Sequence, residues 1–322
     1  MRTSCVKNGL VLGITFLFIC TGFTPSVAVD TIEQCSMPIS NGNTLYVGGT
    51  GEGNYSKIQD AIDNSSDGDT VFVYDDSSPY YEKISVNKSI NLIGEDRDTT
   101  IIDGCEIEDV VFISADRVTV RGFTIRNSST MDPYDSGIRL EYSSHCTISD
   151  NILTDNSAGI HTYAWYDKPN KHNIISNNIF RDNHHSWGGI GLSLFFSRFT
   201  IIKENTFVNN DRAIDIGNGL FNIILKNNIT FCAESGIFIS LQSMFNVVKK
   251  NNFIENECSA SFVWILFCPT LTRWYRNYWD DWNGKGPKII KGGNLISLYV
   301  GFPIINFDWF PAKEPYDIEG VI

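Results

Sequence analysis

The chain has 322 residues, 42% of them hydrophobic, with 25 Lys+Arg against 37 Asp+Glu. That is ample for a sizeable core, and a formal charge of −12 argues against nucleic acid as a partner. None of the eight cysteines forms a Cys-x-x-Cys pair, which argues against a structural zinc site.

Arg2 and Lys7 precede an apolar stretch, Leu10 to Phe23, that is short for a bilayer span. Ser26-Val27-Ala28 then supplies a small-x-small cleavage site. The reading is a signal peptide over 1–28, a mature start at Val29, and a secreted or cell-surface location, with a retained anchor as the alternative. The mature chain would carry 23 basic residues (25 minus Arg2 and Lys7) against 37 acidic ones, a net of −14. Export permits disulfides, and Cys232 and Cys258, near the same phase of successive repeats, are a candidate pair beside the reading of buried single thiols. Asn-x-Ser/Thr sequons at Asn54, Asn64, Asn87, Asn127 and Asn228 permit glycosylation.

Residues 29–43 read as a leader. Ser56 with Gln59 forms a capping box for a short helix whose apolar face is Tyr55, Ile58, Ala61 and Ile62. Strand signals follow at Thr70-Val71-Phe72-Val73, Ile84-Ser85-Val86 and Val110-Val111-Phe112-Ile113. Asparagines then recur at 151, 178, 205, 228, 252 and 277, with gaps of 27, 27, 23, 24 and 25 residues. Around them recur Gly-Ile-x-Ile phrases (Gly137-Ile138-Arg139-Leu140, Gly236-Ile237-Phe238-Ile239) and Thr-Ile or Asn-Ile phrases (Thr147-Ile148, Asn222-Ile223). A unit of this length with period-two Ile, Val and Phe predicts one coil of three short strands, stacked about 4.8 Å apart. The recurring Asn are expected at the corners, tolerating left-handed angles and bonding to the Asn of the next coil. The fold class predicted is all-β, a parallel β-helix of roughly eight coils. It occupies residues 44–282 with its N-terminal capping helix, and an irregular C-terminal cap, rich in Gly, Pro and aromatics, covers 283–322. Trp279-Asp280-Asp281-Trp282, at the end of the repeats, reads as turn and cap packing.

Lys57-Ile58-Gln59-Asp60-Ala61-Ile62 followed by Gly68-Asp69-Thr70-Val71-Phe72-Val73 resembles the opening of pectin-lyase-like β-helix proteins. The Asn repeats resemble the NosD-type, carbohydrate-binding and sugar-hydrolase group. The ending, from Asn277-Tyr278-Trp279 to Pro315-Tyr316-Asp317-Ile318, is similar to exported archaeal members. The resemblance covers about residues 44–320. It implies a right-handed β-helix, export and a polysaccharide or surface-glycan partner. Its activity stays open, because the group holds lyases, epimerases, hydrolases and proteins without known chemistry, and NosD itself is associated with copper-site maturation.

In Gly-Ile-x-Ile the residue between the aliphatics points outward. Down the stack this slot reads Arg139, His161, Ser193 (or Gly191), Asp215, Phe238 and Val263, with Asp135, Asp211 and Glu234 at the edge before it. The resemblance implies that this face carries any catalytic groups. In that role Asp135, Asp211, Asp215 and Glu234 would supply acids or ligands for an ion such as Ca²⁺, Arg139 would clamp a carboxylate, and His161 would act as base. Tyr163, Trp165, Tyr166 and Trp187 are candidate stacking platforms for sugar rings. The polygalacturonase signatures Gly-His-Gly and Arg-Ile-Lys are missing, and Tyr134 in Asp132-Pro133-Tyr134-Asp135 stands where mannuronan epimerases use His. His161, His172, His184 and His185 could share copper or zinc only if a loop gathered them, so no resident metal is predicted. The expected protein is a monomeric, carbohydrate-interacting β-helix without assured turnover. A polysaccharide lyase, epimerase or hydrolase is the second reading and a cell-envelope spacer the third.

Overall fold

The computed structural model describes residues 42–240, 242–264, 271–294 and 304–318. The predicted signal peptide, nearly all of the leader, Cys35 and Cys268 lie outside them. The chain winds into a right-handed parallel β-solenoid of nine coils, each contributing one strand to three sheets. The first sheet runs from Thr70–Val73, preceded by the parallel strand Thr44–Val47 ahead of the first coil, through Thr147–Ser149 and Ile174–Ser176 to Arg273–Tyr275. The second runs from Tyr80–Tyr81 through Ile152–Thr154 to Tyr278–Trp279, and the third from Ile84–Val86 through Ser136–Glu141, Ala158–Tyr163, Ile190–Phe195, Arg212–Gly217 and Ser235–Ser240 to Lys288–Asn294. The ninth coil, beyond the eight expected, arises because Lys288–Asn294 pairs in parallel with Ala260–Trp264 instead of turning away.

The alternation seen in the sequence is the burial pattern. Ile148, Ile175, Ile202, Ile224 and Val248 point inward from the first sheet, and Ile160, Leu192, Ile214 and Ile237 from the third. Each such side chain contributes about 1.5–3 kcal/mol on burial. In the second sheet Phe180 stacks on Phe207 at 4.5 Å and Phe253 on Trp279 at 4.1 Å, so Trp279 belongs to the core.

Asparagine ladders hold the corners. Between the first and second sheets the ladder is Asn151, Asn178, Asn205, Asn227, Asn251 and Asn277. Asn178 is typical: its backbone N–H (3.0 Å) and side-chain amide (3.1 Å) both donate to Asn205 Oδ1, and the amide also reaches Ile148 O at 2.9 Å. Two expectations are corrected here. The ladder uses Asn227 and Asn251, not Asn228 and Asn252; the latter sit one residue on, inside the second sheet, and pair with each other. The left-handed angles fall on the residue before each ladder Asn: Asp150, Asn177, Glu204, Lys226, Lys250 and Arg276. Such an angle costs an L-residue roughly 1–2 kcal/mol. It turns the backbone N–H toward the next coil, as in Glu204 N–H to Leu225 O at 3.2 Å.

The second corner repeats the scheme with Asn156, Asn183, Asn210, Cys232 and Asn256. Cys232 thus occupies an asparagine slot above Asn256, not above Cys258, and all four described cysteines are free. The candidate disulfide is not formed because Cys258 falls two residues out of phase.

The helix, α1 (Ile58–Asn64), buries Ile58, Ala61 and Ile62 over the first coil. The expected capping box does not form. Glu82, from the coil below, instead accepts the Ile58 and Gln59 N–H groups at 2.9 and 3.0 Å. At the other end Ile304–Asp308 pairs antiparallel with Lys288–Asn294, and the following segment runs back over the second sheet, where Tyr316 exchanges two hydrogen bonds with the Asn252 amide.

Candidate functional site

Parallel pairing in the third sheet aligns Arg139 with His161, His161 with Ser193, Ser193 with Asp215, and Asp215 with Phe238. The predicted row is therefore real, with the Ser193 alternative correct. Its next member is Ser261 rather than Val263, because Ile237 pairs with Ala260. Strand spacing of about 4.8 Å puts Arg139 one rung from His161 and Asp215 two rungs beyond.

Three loops stand around this row. The first, residues 129–135, lays Tyr134 over it: the Tyr134 ring lies 4.8 Å from the His161 imidazole and meets Phe195 edge-on at 5.7 Å. The second is a short hairpin in which Trp165 bridges to Lys168, presenting Trp165 and Tyr166 to solvent. The third, residues 184–188, carries Trp187, 76% exposed, and turns at Gly188 with φ +95°. His185 Nε2 approaches Thr130 O at 3.1 Å, tying the first loop to the third.

The roof changes what the row can do. The sequence places His161 on the outer face as a base, but it is 3% exposed, with Nδ1 3.0 Å from Ser193 Oγ. Burial, then the nearby Arg139 charge, push its protonation down to about 3, so the ring is neutral. Asp215 is 6% exposed. Burial raises its carboxyl to about 6, against the pull of Arg212. Only Oδ2 is engaged, by Arg212 at 3.4 Å; Oδ1 has no hydrogen-bond partner. Tyr134 completes the layer, its phenol pushed up by burial and then by the Asp215 charge. Nothing in the pattern of the 127–135 segment signals this lid.

The remaining predicted residues are structurally engaged. Arg139 lies 3.5 Å from both Asp109 and Glu141 and packs over the Tyr163 ring. Glu234 pairs with Arg212 at 2.7 Å, and Arg212 packs over Phe238. Asp211 accepts from His184 Nδ1 (2.8 Å), His185 N–H (3.1 Å) and Gly189 N–H. Burial acts against its charge, but these bonds outweigh it and hold the carboxyl below the ordinary range. Asp211 is thus the clamp of the 184–188 loop. Asp135 lies at the foot of the first loop, where its carbonyl accepts Ala158 N–H at 3.0 Å. Burial pushes the Asp109 carboxyl above its ordinary range, and the Asp135 charge adds to that shift.

The sequence profile described as "Periplasmic copper-binding protein (NosD)" matches residues 62–301. The chain belongs to this NosD family. No curated protein is similar to it in sequence. Among solved structures it is similar to an alginate lyase from Paenibacillus sp. str. FPU-7, at 14% identity and a TM-score of 0.54, covering 74% of this chain and 88% of that one. It is also similar to a pectate lyase, at 11% identity and 0.52, covering 77% and 73%. A third likeness, to a pectin methylesterase from Erwinia chrysanthemi, stands at 12% and 0.50, covering 76% and 91%. At these identities the likenesses establish the β-helix fold.

The NosD family's description implies copper, and the described residues do not fit it. Copper takes imidazole and sulfur donors converging on one point. Here His161 is held between Ser193 and Tyr134, His184 points to Asp211, and His185 spans Thr130 O and the Trp187 N–H. His145 and His172 stack face to face at 5.1 Å, beyond the hairpin at the corner that leads back to the first sheet. Among the described residues no group of three or more His, Cys, Asp or Glu is placed to hold a metal ion. No helix among them is long and apolar enough to cross a membrane.

Proposed function

We propose that this NosD-family β-helix is an exported carbohydrate-binding protein whose glycan lies along the outer face of the third sheet, between the three loops. The observation that carries this reading is that exposed Trp187 and half-exposed Tyr134, before these parallel strands, and exposed Trp165 and Tyr166, after them, flank one strand row. Rings that remain exposed beside a row of polar groups suit the faces of pyranose sugars, each offering apolar area with a polar edge. The paired carboxylates match an inert spacer, but a spacer needs no exposed rings at both ends of the row. Turnover is a second reading, favoured by Asp215, whose carboxyl, raised by burial to about 6, would exchange a proton in mildly acidic solution.

The test is a glycan panel followed by calorimetry and by release of reducing ends and unsaturated uronate, with and without Ca²⁺. Binding is expected, and Trp165→Ala and Trp187→Ala should each weaken it by about tenfold, or ~1.4 kcal/mol. Turnover abolished by Asp215→Ala would replace the binding reading with the enzymatic one. Binding unaffected by both Trp variants would remove the glycan from this face.

A further inference from the structure

We propose that the third-sheet face recognises a glycan whose sugars carry amino groups, and discriminates against polyuronates. The inference rests on the glycan-binding reading above and adds the class of sugar. Its first support is the charge of the face. Asp109, Asp135, Glu141, Asp211, Asp215 and Glu234 line or border the row, against two guanidiniums, Arg139 and Arg212. A uronate would need one of those guanidiniums, since Arg clamps carboxylates in bidentate pairs. Both already stand between two carboxylates: Arg139 is 3.5 Å from Asp109 and from Glu141, its Nε making no hydrogen bond but buried out of a ligand's reach, and Arg212 is 3.4 Å from Asp215 and 2.7 Å from Glu234. Both have one face packed on an aromatic ring. The nearby Lys168 and Arg198 are likewise packed, over Tyr142 and Tyr166.

The second support is independent of the charge count. Asp215 is 6% exposed, and its Oδ1 has no hydrogen-bond donor. An orphaned buried acceptor costs about 1–3 kcal/mol unless a donor arrives. An ammonium group brings three donors and no acceptor, and so complements the orphan and its neighbours. Tyr134 lies tilted over His161, 4.8 Å away, close enough to Asp215 to feel its charge, so a sugar ring that displaced Tyr134 would come beside that carboxylate.

The experiment is calorimetric titration of the protein with chitosan oligosaccharides, neutral β-glucan oligosaccharides, oligogalacturonate and oligoalginate at low and physiological ionic strength. Chitosan oligosaccharides are expected to bind at least about tenfold tighter than either uronate, weakening as salt rises. Asp215→Asn and the more exposed Glu234→Gln should each lose several-fold for chitosan while their circular dichroism stays that of the parent. Tighter binding of a uronate, or equal and salt-independent binding of neutral and amino glycans, would overturn the inference and leave the glycan-binding reading standing. Binding of none of the four would remove that reading itself.

Discussion

Asn277 donates both its backbone N–H (2.8 Å) and its side-chain amide (3.0 Å) to the carboxylate of Asp308, so the longest asparagine ladder ends on a charge. The same carboxylate accepts Trp279 Nε1–H at 3.2 Å and Arg276 N–H at 3.1 Å. Asp308 is fully buried and terminates the stack as the next Asn would have done. Phe310 N–H donates to it as well, at 3.2 Å, so Asp308→Ala removes an acceptor from five donors, of which the Asn277 amide alone keeps another, Val248 O, and the expected loss is about 3 kcal/mol or more in denaturant unfolding. Asp308→Asn, which keeps one acceptor oxygen, should lose less.

The one-residue offset at the corner can be tested by paired substitutions. Asn227 donates to Ile202 O, Leu225 O and Asn251 Oδ1 and accepts from Asn205. Asn227→Ala should therefore cost about 2–4 kcal/mol, well above Asn228→Ala, whose side chain bonds Asn252 and Ile318 O. Because Asn228 is 2% exposed, mass spectrometry of protein made in a glycosylating host should find its sequon unoccupied.

At the N-terminal end, Glu82→Ala removes the acceptor of the first two helix N–H groups and should lower stability by about 1 kcal/mol. Ser56→Ala, which breaks the motif suggested by the sequence, should leave the melting temperature unchanged.

Stability against pH separates His161 from Asp215. Asp215 titrates near 3.9 when unfolded and at about 6 when folded, so its contribution is full below about 4 and lost as pH rises to about 6. His161 titrates near 6.5 when unfolded and at about 3 when folded, so its contribution is full above about 6.5 and lost as pH falls toward 3. Between about pH 4 and 6 the two slopes oppose each other. Asp215→Asn should expose a stability that climbs with pH through that window, and His161→Gln one that falls. Two variants with the same slope in urea unfolding across the window would contradict this pair of environments.

The solenoid was legible because its driving forces are periodic. Inward Ile and Val recur at every coil, and the ladder needs one Asn per corner. The register slipped where the text itself is degenerate: Asn227-Asn228 and Asn251-Asn252 offer two adjacent asparagines, and only the pairing of Asn228 with Asn252 inside the second sheet decides between them. Arg139, His161 and Asp215 followed from strand alternation, while the choice of Ser193 over Gly191 needed the pairing with His161. The burial of that row did not, because it depends on where Tyr134 falls after a turn, a tertiary contact with no period to announce it. Glu82 was unreadable as a helix cap for a similar reason, since its partners lie 23 and 24 residues away.

Successive ladder bonds span 27, 27, 22, 24 and 26 residues, yet the corners stay in line. The coil from Asn178 to Asn205 carries the 184–188 loop, and the shorter coil after it passes from Asp211 to Arg212 without one. Coil length is therefore free while coil phase is fixed. A whole coil between equivalent asparagines could be removed or duplicated, and the two cut faces would still rejoin as asparagine on asparagine and aliphatic on aliphatic. Such a chain is a tape measure as much as a scaffold: the separation between its helical cap and its aromatic end grows by one strand spacing, about 4.8 Å, for each coil inserted, with no new kind of contact required.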